Sequence, residues 1–189
     1  SNSDAHSPEK LGREGNIIDA ELSYGSVTRA IESGSRDEFL GTIEFFPQEG
    51  KYHYDGHRKC GVRWDPLESL RSGGTCPVCG KAVTAGVLSR VAQLADRDAL
   101  PDPSSRRRFH SLIPLKEILS EIRGVGPGSK EIAGSYASLV RRAGSELAVL
   151  LDLPAAEVAR LGGELLGEAV RRMRAAEVRV EPGFDGQYG

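Results

Sequence analysis

Apolar residues recur at helical spacing through most of the second half of the chain. Their intervals of three and four positions place each set on one face of a helix. The sets are Leu115, Ile118, Leu119 and Ile122; Ile132, Tyr136, Leu139 and Val140; and Leu161, Leu165, Leu166, Ala169, Val170 and Met173. Pro154 stands where a proline commonly opens a further helix. We therefore expect residues 101–189 to form a helical domain.

The first half has shorter and more varied patterns. Residues 39–46, FLGTIEFF, are rich in β-branched and aromatic side chains and predict a strand. The sequence PQEG at 47–50 predicts a turn that leads into a second strand, Lys51–Tyr54. This part of the chain is therefore predicted to contain a β-hairpin.

Three helices are predicted around the hairpin. Asp65 and Pro66 form a helix-start signal for a short turn that ends at Ser72–Gly74. The other two helices are indicated by apolar spacing, at Val27, Ala30 and Ile31, and at Val87, Val91 and Leu94. The closing sequence VRVEPGFDGQYG alternates like a strand before its glycine-rich turns.

Composition narrows the class of protein. The 189 residues are 39% apolar and carry a formal net charge of -2, which excludes a grossly basic nucleic-acid binder but permits local basic surfaces. No apolar run approaches the roughly 18 to 20 residues of a membrane span, so we expect a cytoplasmic protein without a membrane partner. The chain begins without Met, and we interpret it as part of a larger protein.

The three cysteines and one histidine have the spacing of a metal site. Two residues separate His57 from Cys60, two separate Cys76 from Cys79, and fifteen lie between the pairs. We call each such pair of ligands, with the turn between them, a knuckle. Two knuckles supply the four ligands of a tetrahedral zinc ion, and an ion with four protein ligands is typically structural. The alternatives are a redox or chance Cys-x-x-Cys pair, and His53 as the fourth ligand.

A carboxylate and an imidazole, Asp4 and His6, lie one residue apart near the start. In an extended strand both side chains would project from one face, which suits two ligands of a metal cluster. A surface loop would account for the pattern equally well.

Two features suggest contacts with DNA. The sequence Gly124-Val125-Gly126-Pro127 resembles the turn of a helix-hairpin-helix motif, whose backbone N–H groups and following helix N-terminus bind phosphate. Lys130 would add a charge, although the usual motif has a small residue near this position. A simple turn between two core helices is the alternative.

The second feature is the run Arg106, Arg107 and Arg108, which either contacts phosphates or is only solvated. Aromatic residues near the cysteines either form a pocket for an extruded base or pack around zinc. They are Tyr52, His53, Tyr54 and Trp64.

Four segments, in this order, resemble the C-terminal part of the endonuclease Q family: SNSDAHSPEKLGREGN, TIEFFPQEGKYHYDGHRKCGVRW, CPVCGKAVTAGVLSRVAQLADR and EPGFDGQYG. Members of this family have a polymerase-and-histidinol-phosphatase (PHP) metal domain, a zinc domain and a helical domain. They nick DNA on the 5′ side of deaminated bases and abasic sites. Related proteins fuse these segments to a superfamily I helicase.

The resemblance implies an α+β chain with the end of a PHP domain at 1–36, a small zinc-ribbon-like β domain at 37–100 and a helical domain at 101–189. It also implies that Asp4 and His6 are catalytic ligands of divalent metals, either zinc, magnesium or manganese. The remaining ligands of that cluster are not in these 189 residues, so the chain alone is expected to be inactive.

The expected function is therefore zinc binding and DNA binding within a phosphodiester hydrolase that acts on deaminated or abasic DNA. The alternative is a non-catalytic, zinc-stabilised interaction module that docks a helicase or a sliding clamp.

Overall fold

The computed structural model describes residues 5–8, 11–97 and 107–189. The chain divides into two compact units. The helical unit comprises Ser1–Phe45 and Arg107–Val178, and the cysteine unit comprises Phe46–Arg106 and Arg179–Gly189. This division differs from the one expected at 36/37 and 100/101, because the last eleven residues, 179–189, group with the cysteines and the opening residues group with the helices.

The described segments contain strands and helices of modest length. The strands are β1 (Gly15–Ile18), β2 (Phe39–Glu44), β3 (Asp55–His57), β4 (Val62–Trp64) and β5 (Arg108–Ser111). The helices are α1 (Tyr24–Ser33), α2 (Pro66–Arg71), α3 (Val87–Leu94), α4 (Leu115–Arg123), α5 (Lys130–Ala143), α6 (Ala155–Gly162) and α7 (Glu164–Arg174). Short 3-10 turns occupy Pro47–Glu49 and Arg58–Cys60, and a π-helical turn occupies Ala148–Asp152.

The sheet of the helical unit corrects the predicted hairpin. Strand β2 pairs antiparallel with β1 and parallel with β5, while residues 51–54 form no strand. A Cβ built on Gly41 would lie 2.5 Å from the carbonyl oxygen of Arg108, so the glycine permits the close approach of β5. The backbone of Lys51–Tyr54 instead makes hydrogen bonds within the cysteine unit. There Tyr54 N–H donates to the Gly183 carbonyl at 2.9 Å.

The helices predicted from apolar spacing are present and supply the core of the helical unit. Their most buried side chains are Leu115, Ile118, Leu119, Ile132, Leu139, Val158, Leu166, Val170 and Met173. Leu165 was also predicted to lie on an apolar helix face, but it is 67% exposed and does not belong to this core. The Arg174 guanidinium stabilises the π-helical turn by donating hydrogen bonds to three carbonyls at 2.7 to 3.0 Å, those of Val149, Leu150 and Leu153. The second half is thus helical, as predicted.

Helix α3 also occurs where its apolar spacing indicates, but that spacing does not mark a core face. Val87, Val91 and Leu94 are 53 to 65% exposed. Across the described ranges, no helix is both long and apolar enough to cross a membrane.

In the cysteine unit, β3 and β4 form an antiparallel pair and α2 starts at the predicted signal. The Asp65 carboxylate accepts from Leu67 N–H at 2.8 Å and from Glu68 N–H at 2.9 Å, which caps the first turn. The strand suggested by the closing sequence is not formed. Its backbone makes isolated hydrogen bonds to loops instead of a ladder. Gly183 N–H donates to the Gln48 carbonyl and Gly186 N–H to the Lys51 carbonyl, both at 2.9 Å.

Candidate metal centre

The two knuckles of the cysteine unit are built on the same local plan. His57 ends β3 and Cys60 ends the 3-10 turn that follows, while Cys76 and Cys79 lie in the connection between α2 and α3. A glycine follows each second ligand in the left-handed conformation, Gly61 with φ +68° and Gly80 with φ +71°. This conformation favours glycine and reverses the backbone behind the ligands.

The fold brings the four predicted side chains together. Their ligand atoms all lie within 4.8 Å of one another, and Cys79 Sγ is 3.4 Å from His57 Nδ1. Tetrahedral ligands bound to zinc at about 2.3 Å lie about 3.8 Å apart. One imidazole and three thiolates are also a donor set that zinc prefers. The group could therefore bind a structural zinc ion.

Two thiols of this group, those of Cys60 and Cys76, have shifted pKa values. Burial, with hydrogen bonds to Cys79 and Cys76, raises the pKa of Cys60 to about 11. Burial alone would also raise the pKa of Cys76, but backbone N–H groups of Cys79 and Val78 and the His57 side chain bring it down to about 6. A thiolate is thus stabilised at Cys76, the most buried of the three. A dication would compensate the charge of neighbouring thiolates.

The closing segment supports the first knuckle through Asp185. One carboxylate oxygen of Asp185 accepts from Arg58 N–H at 2.7 Å, and the other accepts from the Thr84 hydroxyl at 2.6 Å. These two bonds hold the pKa of Asp185 below its usual range. Sequence reasoning missed this role, because Asp185-Gly186 has only the signature of a turn.

Phe184, beside Asp185, packs tightly against β3. A Cβ on Gly56 would lie 2.4 Å from the Phe184 ring, so the glycine makes room for it. Asp55 is 4% exposed, and its carboxylate accepts from Gly86 N–H at 2.6 Å and from the Ser89 hydroxyl at 2.7 Å. Asp55 therefore ties β3 to the start of α3, a second role that the sequence did not reveal.

His53, the rival fourth ligand, is not in the metal-ligand group. Its ring stacks on Tyr54 with centroids 5.4 Å apart and an angle of 17° between the planes. Burial lowers the pKa of His53, which favours the neutral ring. The geometry thus favours His57 over His53.

The predicted catalytic ligands are not brought together within the described ranges. Asp4 lies outside the described residues, and His6 is an exposed residue in a bend. His6 belongs to no group of three or more metal-ligating side chains in the part of the chain that the structure describes. Their role as ligands stays a prediction.

The turn between α4 and α5 gathers three of the predicted DNA-binding residues on the surface. Gly124 ends α4 with φ +67°, residues 124–128 are exposed, and Ser129 caps α5 by accepting from Ile132 N–H at 3.3 Å. Lys130 is the exposed first residue of α5. Gly124, Gly126 and Lys130 thus share one accessible turn.

The arginine run lies at the start of β5. Arg106 is outside the described residues, and Arg108 is exposed. The Arg107 guanidinium donates to the Phe39 carbonyl at 3.2 Å and lies 5.5 Å from the centre of the Phe39 ring. Arg107 therefore has a structural contact within the helical unit in addition to any external one.

Comparisons with known proteins give related sequences. Residues 114–177 match the family described as the MJ0043 C-terminal domain. The chain is 30% identical to protein MJ0043 of Methanocaldococcus jannaschii, over all of this chain and 24% of that protein. It is 29% identical to protein YqxK of Bacillus subtilis, over all of this chain and 45% of that protein. The chain thus spans less than half the length of these relatives.

Comparisons with solved structures show which known fold this chain resembles. The lesion-specific endonuclease PfuEndoQ from Pyrococcus furiosus matches with a TM-score of 0.87 and 30% identity, over all of this chain and 47% of that one. The resemblance to the endonuclease Q family is confirmed. A structure of endonuclease Q with a 27-mer duplex and an abasic lesion at its active site matches with a TM-score of 0.82 and 30% identity, over 48% of that chain. The mixed α+β architecture is thus shared with endonuclease Q, and the match covers about half of each endonuclease.

Proposed function

We propose that this chain is the zinc-binding and DNA-binding region of an endonuclease Q-like enzyme that hydrolyses the phosphodiester 5′ to deaminated bases in DNA. The observation that carries the proposal is the structural match over the whole chain to two endonuclease Q structures, one of them with a lesion-containing duplex. The match extends through both units, so it includes the ligand group and the turn between α4 and α5.

The proposed role of zinc is structural. His57, Cys60, Cys76 and Cys79 would hold the ion, and four protein ligands leave no open position for a reacting water. The ion would fix two knuckles that have few buried apolar side chains between them. We infer that its purpose is to hold a DNA-binding surface in shape.

The proposed phosphate contacts are the exposed turn at Gly124 and Gly126, with Lys130, and the arginines at 106–108. Backbone N–H groups at the start of a helix are not used within that helix, so they are available to an anionic oxygen. The exposure of the turn and of Arg108 supports this assignment. Such contacts position DNA without reading its sequence.

Catalysis would require the remainder of an endonuclease Q-like protein. We propose that Asp4 and His6 supply ligands for catalytic divalent metals, either zinc, magnesium or manganese, together with ligands from that remainder. The chain alone is expected to leave DNA uncut. Deaminated or abasic DNA is the proposed partner of the whole protein.

A second function is favoured by one observation. Leu67 and Leu70 of α2 are 62% and 69% exposed, as are the apolar side chains of α3 in the same unit. Exposed apolar side chains of this kind are typical of protein contact sites. The alternative is therefore a non-catalytic, zinc-stabilised module that docks a helicase or a sliding clamp.

Fluorescence anisotropy with three labelled duplexes separates these functions. The duplexes are fully matched, or carry one deoxyuridine, or carry one abasic analogue. The proposal predicts binding that weakens as salt rises, and tighter binding to the two lesion duplexes. Absence of binding to all three at low salt would reject DNA binding by this chain and favour the docking module.

A further inference from the structure

Two exposed tyrosines from opposite ends of the cysteine unit share one cation. The ammonium of Lys51 lies 5.6 Å from the centre of the Tyr52 ring and 5.8 Å from the centre of the Tyr188 ring. Tyr52 is 45% exposed and Tyr188 is 71% exposed. The rings are therefore accessible to a ligand, and one cation lies within cation–π distance of both.

The backbone on both sides of Tyr188 is anchored. Gly186 N–H donates to the Lys51 carbonyl at 2.9 Å, and Gly189 N–H donates to the Glu49 carbonyl at 3.2 Å. The carboxylate of Asp185 is fixed to the first knuckle as described above. The backbone of Tyr188 is thus held on both sides, so little backbone conformational entropy would be lost when a ligand binds.

A second cation lies near Tyr52. A Cβ built on Gly186 would be 3.8 Å from Arg58 Nη1 and 3.8 Å from the Tyr52 hydroxyl oxygen. The Arg58 guanidinium and the Tyr52 hydroxyl therefore both lie close to Gly186. Arg58 and its neighbour Lys59 are exposed and lie within the first knuckle. Arg58 thus stands between two proposed metal ligands, His57 and Cys60, in sequence and lies close to Tyr52.

Accessible aromatic faces next to cations suit one class of ligand. Unpaired nucleotides bind by stacking a base on an aromatic ring while a cation contacts the adjoining phosphate. Rings that served only to pack the knuckles would be buried, as Phe184 is at 7% exposure.

We propose that Lys51, Tyr52, Arg58 and Tyr188 form a binding site for an unpaired nucleotide of DNA. We name it the two-tyrosine surface. The inference rests on the proposed function, because enzymes that act at a damaged base commonly extrude it from the duplex and so leave bases unpaired. The tyrosines stack on that base, and Lys51 and Arg58 contact the phosphates beside it.

The test compares two labelled duplexes, one fully matched and one with a single unpaired deoxyadenosine, by fluorescence anisotropy. The double variant Tyr52→Ala, Tyr188→Ala should bind the unpaired duplex at least about tenfold more weakly than the unmodified chain, with less than a twofold change for the matched duplex. The double variant Tyr52→Phe, Tyr188→Phe keeps the rings and should restore binding. Tyr24→Ala, which removes a tyrosine that is 90% exposed in the helical unit, is the matched control and should change neither affinity.

The outcomes distinguish this site from the proposed function. Unchanged binding of the unpaired duplex by the alanine double variant would reject the two-tyrosine surface and leave DNA binding intact. Absence of binding to either duplex by the unmodified chain would reject both proposals. Equal losses for the two duplexes would also reject the site, because a stacking site for an unpaired base discriminates between them.

A second measurement does not depend on how the alanine variant folds. The unmodified chain is photo-crosslinked to a duplex with 5-iododeoxyuridine at the unpaired position, and the adduct is mapped by mass spectrometry. Adducts on the peptide with Tyr52 or the peptide with Tyr188 support the site. Adducts found solely elsewhere would overturn it.

Discussion

The side chain of Asp185 accepts a hydrogen bond at 2.7 Å from the backbone N–H of Arg58, 127 positions earlier in the chain. Arg58 directly follows the proposed ligand His57, so the end of the chain holds the backbone that presents a ligand. Hydrogen bonds made directly to metal ligands commonly affect metal affinity by about 10- to 100-fold, and this bond holds the backbone one residue away from such a ligand. The closing segment is therefore part of the candidate metal centre.

Asp185→Ala should weaken the cysteine unit, because two donors lose a charged acceptor. We expect the free energy of unfolding to fall by about 1 to 3 kcal/mol and zinc to transfer faster to a competing chelator. Thermal melting and a colorimetric chelator assay measure the two effects. Asp37→Ala, at an exposed aspartate of the helical unit, should alter neither. Equal zinc-transfer rates for Asp185→Ala and the unmodified chain would contradict the role given to Asp185.

The choice between the two histidines is also testable. His57→Ala removes a proposed ligand and should reduce bound zinc from about one ion per chain to a small fraction, with loss of the cysteine unit's melting transition. His53→Ala removes a ring that is outside the ligand group and should keep the zinc. Elemental analysis of both purified variants gives the answer. Zinc loss in His53→Ala with retention in His57→Ala would reverse the assignment.

Lys130 should contribute to the salt dependence of DNA binding. Its charge lies on the exposed turn at the start of α5, so Lys130→Ala should weaken binding to every duplex alike and reduce the slope of log affinity against log salt by about one. Arg160→Ala removes a charge from α6 that is already paired with Glu157 and should leave the slope unchanged. Identical slopes for Lys130→Ala and the unmodified chain would exclude Lys130 from the phosphate contacts.

Tyr136 predicts an alkaline sensitivity of the helical unit. Burial and the hydrogen bond from its hydroxyl to Glu146 at 2.8 Å raise the pKa of Tyr136 to about 12. In the unfolded chain a tyrosine loses its proton near pH 10. The stabilisation is therefore complete below about pH 10 and is lost as pH rises towards about 12, because the unfolded state releases the proton first.

Denaturant unfolding across that alkaline range, followed by helical circular dichroism, measures the effect. Tyr136→Phe should be less stable at neutral pH, since it leaves a carboxylate oxygen of Glu146 without this donor, and should show a flatter decline with pH. Tyr24→Phe, at an exposed position, should follow the unmodified chain. A decline of equal steepness in Tyr136→Phe would show that another group causes it.

Local sequence patterns determined a large part of this protein. The knuckles could be predicted because a gap of two residues places both ligands of a pair within a single turn. Helices α4 and α5 followed from apolar spacing, and α2 followed from the capping signal at Asp65. These features depend on residues at most a few positions apart.

The tertiary structure decided what depends on distant pairs. The sequence could not show that β2 pairs with β5, because parallel strands are joined by long crossovers whose partners leave no local mark. It could not show that α3 exposes Val91 and Leu94, because spacing predicts a face and not what covers it. The contacts of Asp185 with Arg58, and of Tyr188 with Lys51, arise only because the closing segment returns to the cysteine unit. Hydrogen bonds and burial between residues far apart in sequence are properties of the folded chain, and they shape both proposed binding sites.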